Sequence, residues 1–289
     1  MNTSVECIYC ILRKADSMFC KYVDDERKRF NFIKKVLKEL GSYDDSATAP
    51  FLTSKVMKIL EEEIGVEDLF LKEKKEYDKK MLSIEQDIWD SIDNSDDKLL
   101  AGLKYAMVGN FIDFGAMDEV DDNILAEIID TALEQQIDTQ LYKEFRREIL
   151  KAEKLCYIVD NAGEVIFDKL FIKAIKELNE GIEIDIVVRG YPILNDVTME
   201  DALEVGLDCY GNIIPNGTNI PGTDIKRVNK ETIRSMDESD LIIAKGQGNF
   251  ETLIGCGKNI YYIFLCKCDI FVERFGIKKF EGVFMKEQS

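Results

Sequence analysis

The chain has 289 residues, 46% of them hydrophobic, which suffices for one large domain or two ordinary ones with a sizeable core. It carries 56 acidic and 38 basic residues, and the net charge of −18 argues against binding to nucleic acid, whose phosphate backbone it would repel. Histidine is absent, which excludes Ser-His-Asp and Cys-His catalysis and histidine-ligated zinc.

The expected location of the protein follows from two further features of the sequence. No apolar run approaches the roughly 20 residues that a membrane-spanning helix needs. The first residues, Met1 to Glu6, lack the basic region and the apolar core of a signal peptide. We therefore expect a cytoplasmic protein with no membrane partner.

Residues 1–152 are predicted to form an N-terminal helical-bundle domain, because their apolar residues recur at the spacing of helices. One stripe starts at Phe30 and is stopped by Gly41, and another runs from Tyr77 to Ile92. Further helices are predicted over residues 96–109, 124–133 and 141–149.

Eight cysteines occur in the chain, and Cys7-x-x-Cys10 is a pair with metal-ligand spacing. One such pair supplies half of a tetrahedral zinc site. Cys266 and Cys268 would complete it, with Cys20 as a further candidate. The alternative is free thiols, the usual state in cytosolic proteins, or an occasional disulfide.

The pattern changes in residues 153–289, where short apolar runs bounded by turns alternate with helical patterns. This alternation favours βαβ units, so we predict a Rossmann-like three-layer α/β/α domain with a largely parallel sheet. Strands are predicted over residues 155–159, 184–188, 241–244, 260–265 and 283–285. Residues 212–219, which include Pro215 and Gly217, are predicted to form a loop over the sheet.

Polar residues follow four of the predicted strands, and the carboxyl ends of parallel strands meet at one edge of a sheet. They are Asp160, Asn161 and Glu164 after the first, Arg189, Asn195 and Asp196 after the second, Lys245 and Gly246 after the third, and residues 266–269 after the fourth. Carboxylate and amide oxygens suit a hard divalent cation, whereas Arg, Lys and exposed backbone N–H groups suit a phosphate. Together they indicate phosphoryl chemistry, although each motif alone is also typical of a helix N-cap or a turn.

Six motifs in a fixed order resemble a known family. They are Cys-Ile-Tyr-Cys at 7–10, Gly-Asn-Phe-Ile-Asp-Phe-Gly at 109–115, Asp-Asn-Ala-Gly-Glu at 160–164, Pro-Ile-Leu-Asn-Asp at 192–196, Pro-Gly-Thr at 221–223 and Lys-Gly-Gln-Gly-Asn-Phe-Glu at 245–251. The chain resembles the metal-dependent damage-control phosphatases, long catalogued as domain of unknown function 89, in the subfamily with an N-terminal Cys-x-x-Cys. The resemblance spans nearly the whole chain.

The resemblance implies roles for individual residues. Asp160, Asn161 and Asp196 would hold a divalent metal, which in such proteins is often Mn²⁺, Mg²⁺, Co²⁺ or Ni²⁺. Lys245 would contact the substrate phosphate. Asn110 would lie at the mouth of the site, so that the helical domain forms one wall of the cleft.

Together, the residues and the resemblance predict a metal-dependent phosphatase. Its substrate would be a phosphate ester of a small metabolite, such as a sugar phosphate, a nucleotide-like compound or a damaged phosphorylated cofactor. The catalytic residues would be Asp160, Asn161 and Asp196. Further candidates for the substrate site are Arg189, Asn195, Glu164 and the backbone of Gly246.

Two other functions stay open from the sequence. One is a module that binds a phosphorylated ligand without turnover, and the other is an interaction protein stapled by zinc. The nucleophile is also open between a metal-bound water and a carboxylate, as are the substrate, the native metal and the oligomeric state.

Overall fold

The computed structural model describes every residue except 45, 110–129, 133, 277, 279–280 and 288–289. The described residues form a six-stranded sheet with helices packed on both of its faces. The α/β class and the largely parallel sheet that the sequence predicted are confirmed. None of the helices in these parts of the chain has the length and apolar composition required to cross a membrane.

Six helices that lie entirely within the described residues precede the first strand. They are α1 (Val5–Tyr22), α2 (Glu26–Leu40), α3 (Ala49–Ile64), α4 (Leu71–Asp93), α5 (Lys98–Val108) and α6 (Thr139–Lys151). Most of them begin after a residue whose side chain accepts a hydrogen bond from a helix N–H group. These caps are Ser4, Asp25, Thr48, Asp97 and Asp138. Each cap satisfies a donor that the helix start leaves unpaired, so short polar side chains set the helix boundaries.

Strands and helices alternate in the second half. The strands are β1 (Lys154–Ile158), β2 (Glu183–Val188), β3 (Asn212–Pro215), β4 (Leu241–Lys245), β5 (Ile260–Leu265) and β6 (Gly282–Lys286). The helices are α7 (Glu164–Leu178), α8 (Met199–Glu204), α9 (Lys230–Glu238), α10 (Gln247–Leu253) and α11 (Asp269–Phe275).

The sheet has the strand order β3-β2-β1-β4-β5-β6. All neighbouring strands are parallel except β6, which runs antiparallel to β5. The order therefore proceeds in opposite directions on the two sides of the β1–β4 pair. In open sheets of this kind, ligands bind outside the carboxyl ends of the strands at that reversal.

Two apolar clusters cover the two faces of the sheet. Successive residues of β1 enter different clusters, because side chains alternate across a strand. Tyr157 belongs to the cluster that α4–α7 cover, whereas Cys156 and Ile158 belong to the one that α9–α11 cover. The centre of the sheet is thereby buried on both faces.

The helical half of the chain packs in two separate ways. Helices α1–α3 form a third apolar cluster together with Ile193 and Ile220 from the second half of the chain, and in it Phe19 stacks on Phe32 at 4.5 Å between ring centroids. Helices α4–α6 instead share a core with the sheet, and α5 approaches α7 closely at Gly102 and Phe171. The domain boundary at residue 152 stays a prediction, and apolar packing crosses it.

One predicted loop is partly a strand. The prediction that residues 212–219 form a loop is wrong at its start, because Asn212–Pro215 is β3 and pairs with β2. Proline cannot donate a hydrogen bond to a ladder, which is why it favoured a loop, but at the end of a short edge strand it is tolerated. The predicted helix over residues 124–133 lies largely outside the described residues.

Candidate active site at the carboxyl edge of the sheet

A cleft of about 720 Å³ lies at the carboxyl edge of the sheet. One side, the sheet-edge wall, consists of the loops after β1, β2, β4 and β5, and includes Asp160, Asn161 and Asp196. The other side, the helical wall, consists of α1 and the first turns of α3. The volume falls in the range of roughly 300–1,000 Å³ that small-molecule sites occupy.

The loops after β1 and β2 are tied to each other. The backbone N–H of Val197 donates to the carbonyl oxygen of Asp160 at 2.8 Å. Asn161 and Asp196 form an isolated antiparallel bridge. These bonds bring Asp160, Asn161 and Asp196 together at one point of the cleft, although two different strands supply them.

Arg189 lies behind the two carboxylates. Its Nε donates to Asp196 Oδ2 at 2.6 Å, and its Nη2 donates to Asp160 Oδ1 at 3.4 Å. Its side chain is only 1% exposed, so it holds both carboxylates from the protein interior and not from the cleft. Charge-assisted hydrogen bonds of this kind fix the orientation of the carboxylates.

The amide of Asn161 is oriented by two carboxylates. Its Nδ2 donates to Asp160 Oδ2 at 2.8 Å and to Glu164 Oε2 at 3.0 Å. Because both bonds use the NH₂ group, the carbonyl oxygen lies on the other side of the amide. That oxygen is an acceptor and a metal ligand of the same class as the neighbouring carboxylates.

A second buried cation, Lys245, supports Glu164. Its Nζ donates to Glu164 Oε1 at 2.6 Å and to Asp168 Oδ1 at 2.5 Å, and the hydroxyl of Tyr157 donates to the same Asp168 oxygen at 2.9 Å. Burial alone would lower the pKa of Lys245, but the two carboxylates raise it overall. Lys245 therefore stays charged although its side chain is 0% exposed.

Negative charge accumulates around Asp160. Burial raises the pKa of Asp160 well above its usual range, and the carboxylates of Asp196 and Glu164 raise it further. Burial raises the pKa of Asp196 as well, although Arg189 counteracts the effect. A divalent cation would offset this excess of negative charge, and oxygen donors are its preferred ligands. The donor set therefore fits a hard divalent metal.

Gly246 allows the sheet edge to close around Asp160. Its backbone has φ +80°, and a Cβ at this position would lie 2.0 Å from Asp160 Oδ2. Its N–H donates to the carbonyl oxygen of Ile263 at 2.9 Å, which fixes its position. Any side chain here would displace the carboxylate of Asp160.

The turn between β1 and α7 is supported from α4. Gly163 has φ +76°, a conformation that favours glycine, and its N–H donates to Asp78 Oδ1 at 2.6 Å. Burial raises the pKa of Asp78 to about 7. The helical half of the chain thus contributes a buried carboxyl group to the loop that carries Asp160 and Asn161.

The sequence of the chain that carries this site matches one protein family over nearly its whole length. A sequence model of the damage-control phosphatase ARMT1-like domain matches residues 3–283. The chain belongs to this family.

Damage-control phosphatases resemble the chain from end to end. One from Pyrococcus horikoshii is 30% identical, with 100% of this chain and 99% of that protein covered. Another, from Archaeoglobus fulgidus, is 29% identical over 96% of each chain. An uncharacterized protein from Methanocaldococcus jannaschii is 33% identical over 97% of this chain and 94% of its own. A crystal structure of a DUF89 family protein from Pyrococcus horikoshii superposes with a TM-score of 0.87 and 30% identity over 100% of both chains.

In this chain, the residues that the sequence singled out fall into two groups. Those that line the cleft are Asp160, Asn161, Asn195 and Asp196. Those that are buried behind it are Glu164, Arg189 and Lys245. Asn110 lies outside the described residues. The metal and substrate contacts of all these residues stay predictions, but for the second group the direct partners are other protein side chains.

The four cysteines of the predicted zinc site are also divided. Cys7, Cys10 and Cys268 line the cleft, whereas Cys266 is fully buried. In the described parts of the chain, no group of three or more cysteine or carboxylate side chains is arranged to hold a metal. The oxygen site has two carboxylates and an amide, so it is not a group of that kind. The zinc site stays a prediction.

Of two further functional candidates, Lys267 belongs to residues 266–269, which were expected after the fourth predicted strand without a separate role for the lysine, and Asp78 was missed. Lys267 follows β5 and lines the cleft; burial raises the pKa of Asp160, and the charge of Lys267 counteracts this. Its position after a predicted strand was the available signal. Asp78 had no comparable signal, because nothing in a charged helical stripe marks the one carboxylate that turns inward to Gly163.

Proposed function

We propose that this protein is a divalent-metal-dependent phosphatase that hydrolyses a phosphate ester of a small metabolite. The observation that carries the proposal is the convergence of Asp160, Asn161 and Asp196 on one cleft, with Arg189 bound to both carboxylates from behind. The names of two full-length relatives, both damage-control phosphatases, support the activity.

In this proposal, Asp160, Asn161 and Asp196 hold the metal, which is Mn²⁺, Mg²⁺, Co²⁺ or Ni²⁺. When bound, the metal supplies Lewis-acid polarisation of a phosphoryl oxygen. The protein keeps the oxygens of this set in place, because Arg189 and Glu164 fix the carboxylates and the amide before the substrate arrives. Such preorganised charge is the main source of rate enhancement in phosphoryl transfer.

The cations of the site have different roles in this proposal. Lys267 lines the cleft near Asp160 and neutralises charge on the phosphate oxygens of the substrate. Lys245 is a positioning residue, since its Nζ binds Glu164 and the other oxygen of Glu164 holds Asn161.

The substrate body lies against the helical wall. A cleft of about 720 Å³ exceeds what a phosphate alone occupies, so it accommodates a metabolite-sized group as well. The residues that would face this group are Arg13, Lys14, Met18, Thr53 and Met57. Their mixture of charged and apolar side chains suits a polar metabolite with an apolar portion.

The test is hydrolysis of phosphate esters by the purified protein with and without added Mn²⁺ or Mg²⁺. We expect phosphate release only with metal, and a loss of at least about 100-fold in kcat/KM for Asp196→Asn. The matched control is Asp237→Asn, which removes an exposed carboxylate outside the cleft. Folded Asp196→Asn protein with the activity of Asp237→Asn would contradict the proposal.

A further inference from the structure

Asp168 is fully buried on α7, yet a short chain of hydrogen bonds connects it to the proposed metal ligands. Its Oδ1 accepts from Lys245 Nζ at 2.5 Å, and the same Nζ donates to Glu164 Oε1 at 2.6 Å. The other oxygen of Glu164 accepts from Asn161 Nδ2 at 3.0 Å. Three hydrogen bonds therefore lead from Asp168 to Asn161, which is one of the three proposed ligands.

Helix α7 and strand β4 build this chain of contacts together. Glu164 and Asp168 lie four residues apart on α7, so their side chains share one face of the helix. Two like charges at this spacing repel each other. Lys245, the last residue of β4, reaches the same face and offsets the repulsion. The three side chains form a buried triad of one cation and two carboxylates.

Lys245 divides its single positive charge between the two carboxylates. If Glu164 were its only partner, the pair would be neutral. Because Asp168 binds the same Nζ, the triad keeps one net negative charge when its three groups are ionised. Charge in this triad acts on the ligand set, since burial and then neighbouring carboxylates, including Glu164, raise the pKa of Asp160. Water screens such buried charges only weakly.

Arg189 forms a second triad of the same composition. It binds the two carboxylate ligands Asp160 and Asp196, so this triad also keeps one net negative charge. Asn161 joins the triads, because its Nδ2 donates to one carboxylate of each. The four carboxylates and two cations together carry two net negative charges, which one divalent cation would neutralise. Lys267 adds a positive charge from the cleft, where the proposed function assigns it to the substrate phosphate.

We propose that Asp168 is a positioning residue of the metal site. It shares Lys245 with Glu164, so that Glu164 keeps the negative charge that orients Asn161 and attracts a divalent cation. This inference rests on the proposed metal site, and it gives Asp168 no contact with metal or substrate. Removal of groups that lie behind metal ligands typically weakens metal binding by about 10–100-fold.

Asp168→Asn removes the charge with little change in shape. The two hydrogen bonds to Asp168, from Lys245 and from the hydroxyl of Tyr157, both end on Oδ1. No described residue donates to its buried Oδ2. The carbonyl oxygen of an asparagine can therefore keep both bonds, while its NH₂ group takes the place of Oδ2. The variant tests the charge of Asp168 separately from its packing.

The experiment measures the Mn²⁺ dissociation constant of the full-length protein by electron paramagnetic resonance at about pH 8. Burial raises the pKa of Asp168 to about 7, so its carboxyl group is mostly ionised at this pH. We expect Asp168→Asn to bind Mn²⁺ at least about tenfold more weakly than the wild type. Saturating Mn²⁺ should restore most of its kcat/KM, because all three ligands are still present.

Two variants serve as matched controls. Asp185→Asn removes a carboxylate that also binds a lysine, Lys154, but at the amino end of β1 and away from the cleft. Tyr157→Phe removes one hydrogen bond to Asp168 and leaves its charge. Both should keep the Mn²⁺ dissociation constant within about threefold of the wild-type value, well below the loss expected for Asp168→Asn. Urea denaturation without metal identifies any general loss of stability.

A second variant covers a failure of the first to fold. Asp168→Ser removes the same charge with a smaller side chain and should weaken Mn²⁺ binding in the same way. If neither variant folds, Asp168 is required for the fold itself, and its proposed role in positioning is wrong.

The readouts separate the possible failures. Folded Asp168→Asn protein that binds Mn²⁺ as tightly as Asp185→Asn would overturn the inference and leave the proposed function standing. An equal loss of affinity in Tyr157→Phe would also overturn it, because hydrogen bonding and not charge would then be responsible. If the wild type binds Mn²⁺ but hydrolyses no phosphate ester, the proposed function fails, and the affinities still decide on Asp168. A wild type without tight Mn²⁺ overturns both.

Discussion

The two walls of the cleft are built in different ways. The sheet-edge wall rests on buried ion pairs, since Arg189 binds Asp160 and Asp196 while Lys245 binds Glu164. The helical wall rests on the apolar cluster of α1–α3 and presents exposed charged residues to the cleft. Side chains held by buried ion pairs are therefore concentrated in the wall where the chemistry is proposed.

The largest effect should come from the buried cation of the sheet-edge wall. Lys245→Met leaves Glu164 and Asp168 buried without a positive partner, so we expect a loss of about 3–5 kcal/mol in the free energy of unfolding. Urea denaturation measures the loss. The control Lys258→Met breaks a more exposed pair with Asp237 and should cost less than about 1 kcal/mol. If both variants lost the same free energy of unfolding, the buried ion pairs would contribute no more to stability than the exposed pair, and the prediction would be wrong.

The next effect tests the close approach at Asp160. A Cβ in Gly246→Ala would lie 2.0 Å from Asp160 Oδ2, so the carboxylate must move. We expect metal-dependent activity to fall by about 100-fold, which is the cost of a small misplacement in a catalytic site. Gly255→Ala is matched, since Gly255 also has positive φ at +83° but no atom within 4 Å of the added Cβ. A Gly246→Ala enzyme as active as Gly255→Ala would show that the close contact between Gly246 and Asp160 is not required for activity.

A smaller effect concerns the carboxyl group that supports the turn after β1. The folded-state pKa of Asp78 is about 7, above the ordinary value of 3.8. The folded state therefore binds this proton more tightly than the unfolded state. The resulting stability is fully present at low pH and is lost as the pH rises through about 7.

Asp78→Asn removes this titration. Unfolding free energies measured below and above neutrality should show that the wild type loses more stability than Asp78→Asn as the pH rises. The difference between the two proteins isolates Asp78 from other groups that titrate in the same range. Parallel curves would mean that Asp78 does not titrate as its burial implies.

The smallest effect should come from the helical wall. Arg13 is exposed, and its Nε donates to the carbonyl oxygen of Tyr9 on the same helix, at 3.3 Å. Arg13→Ala should raise KM by less than about tenfold and leave kcat nearly unchanged, because uniform binding contacts do not act on the chemical step. Steady-state kinetics separates the two constants. A large fall in kcat would show that the helical wall takes part in the chemical step. The proposed difference between the two walls would then be wrong.

The convergence of the oxygen site was accessible from the sequence. Asp160 and Asp196 each follow an apolar run that ends at the carboxyl edge, and a parallel sheet brings such ends together. The orientation of the two buried cationic side chains could not be predicted from the sequence. Sequence position says where Arg189 and Lys245 leave the backbone, but only packing decides that both turn inward to carboxylates.

Long-range contacts account for most of what the sequence did not predict. β3 was not predicted because Pro215 has no N–H group to donate to a neighbouring strand. This lack matters less in an edge strand such as β3. The position of α1 along one side of the cleft depends on how this helix packs near the sheet edge, and no local pattern encodes that packing. Asn110 lies outside the described residues, so its predicted place at the mouth of the site stays a prediction.

The central claim is that Asp160, Asn161 and Asp196 form a divalent-metal site. Electron paramagnetic resonance of Mn²⁺ titrated into the purified protein tests it most directly, because bound and free ions give different signals. We expect one tightly bound Mn²⁺ ion per chain in the wild type and in Cys7→Ser. In folded Asp160→Asn/Asp196→Asn protein we expect none. Retention of that tight Mn²⁺ by the double variant would contradict the account.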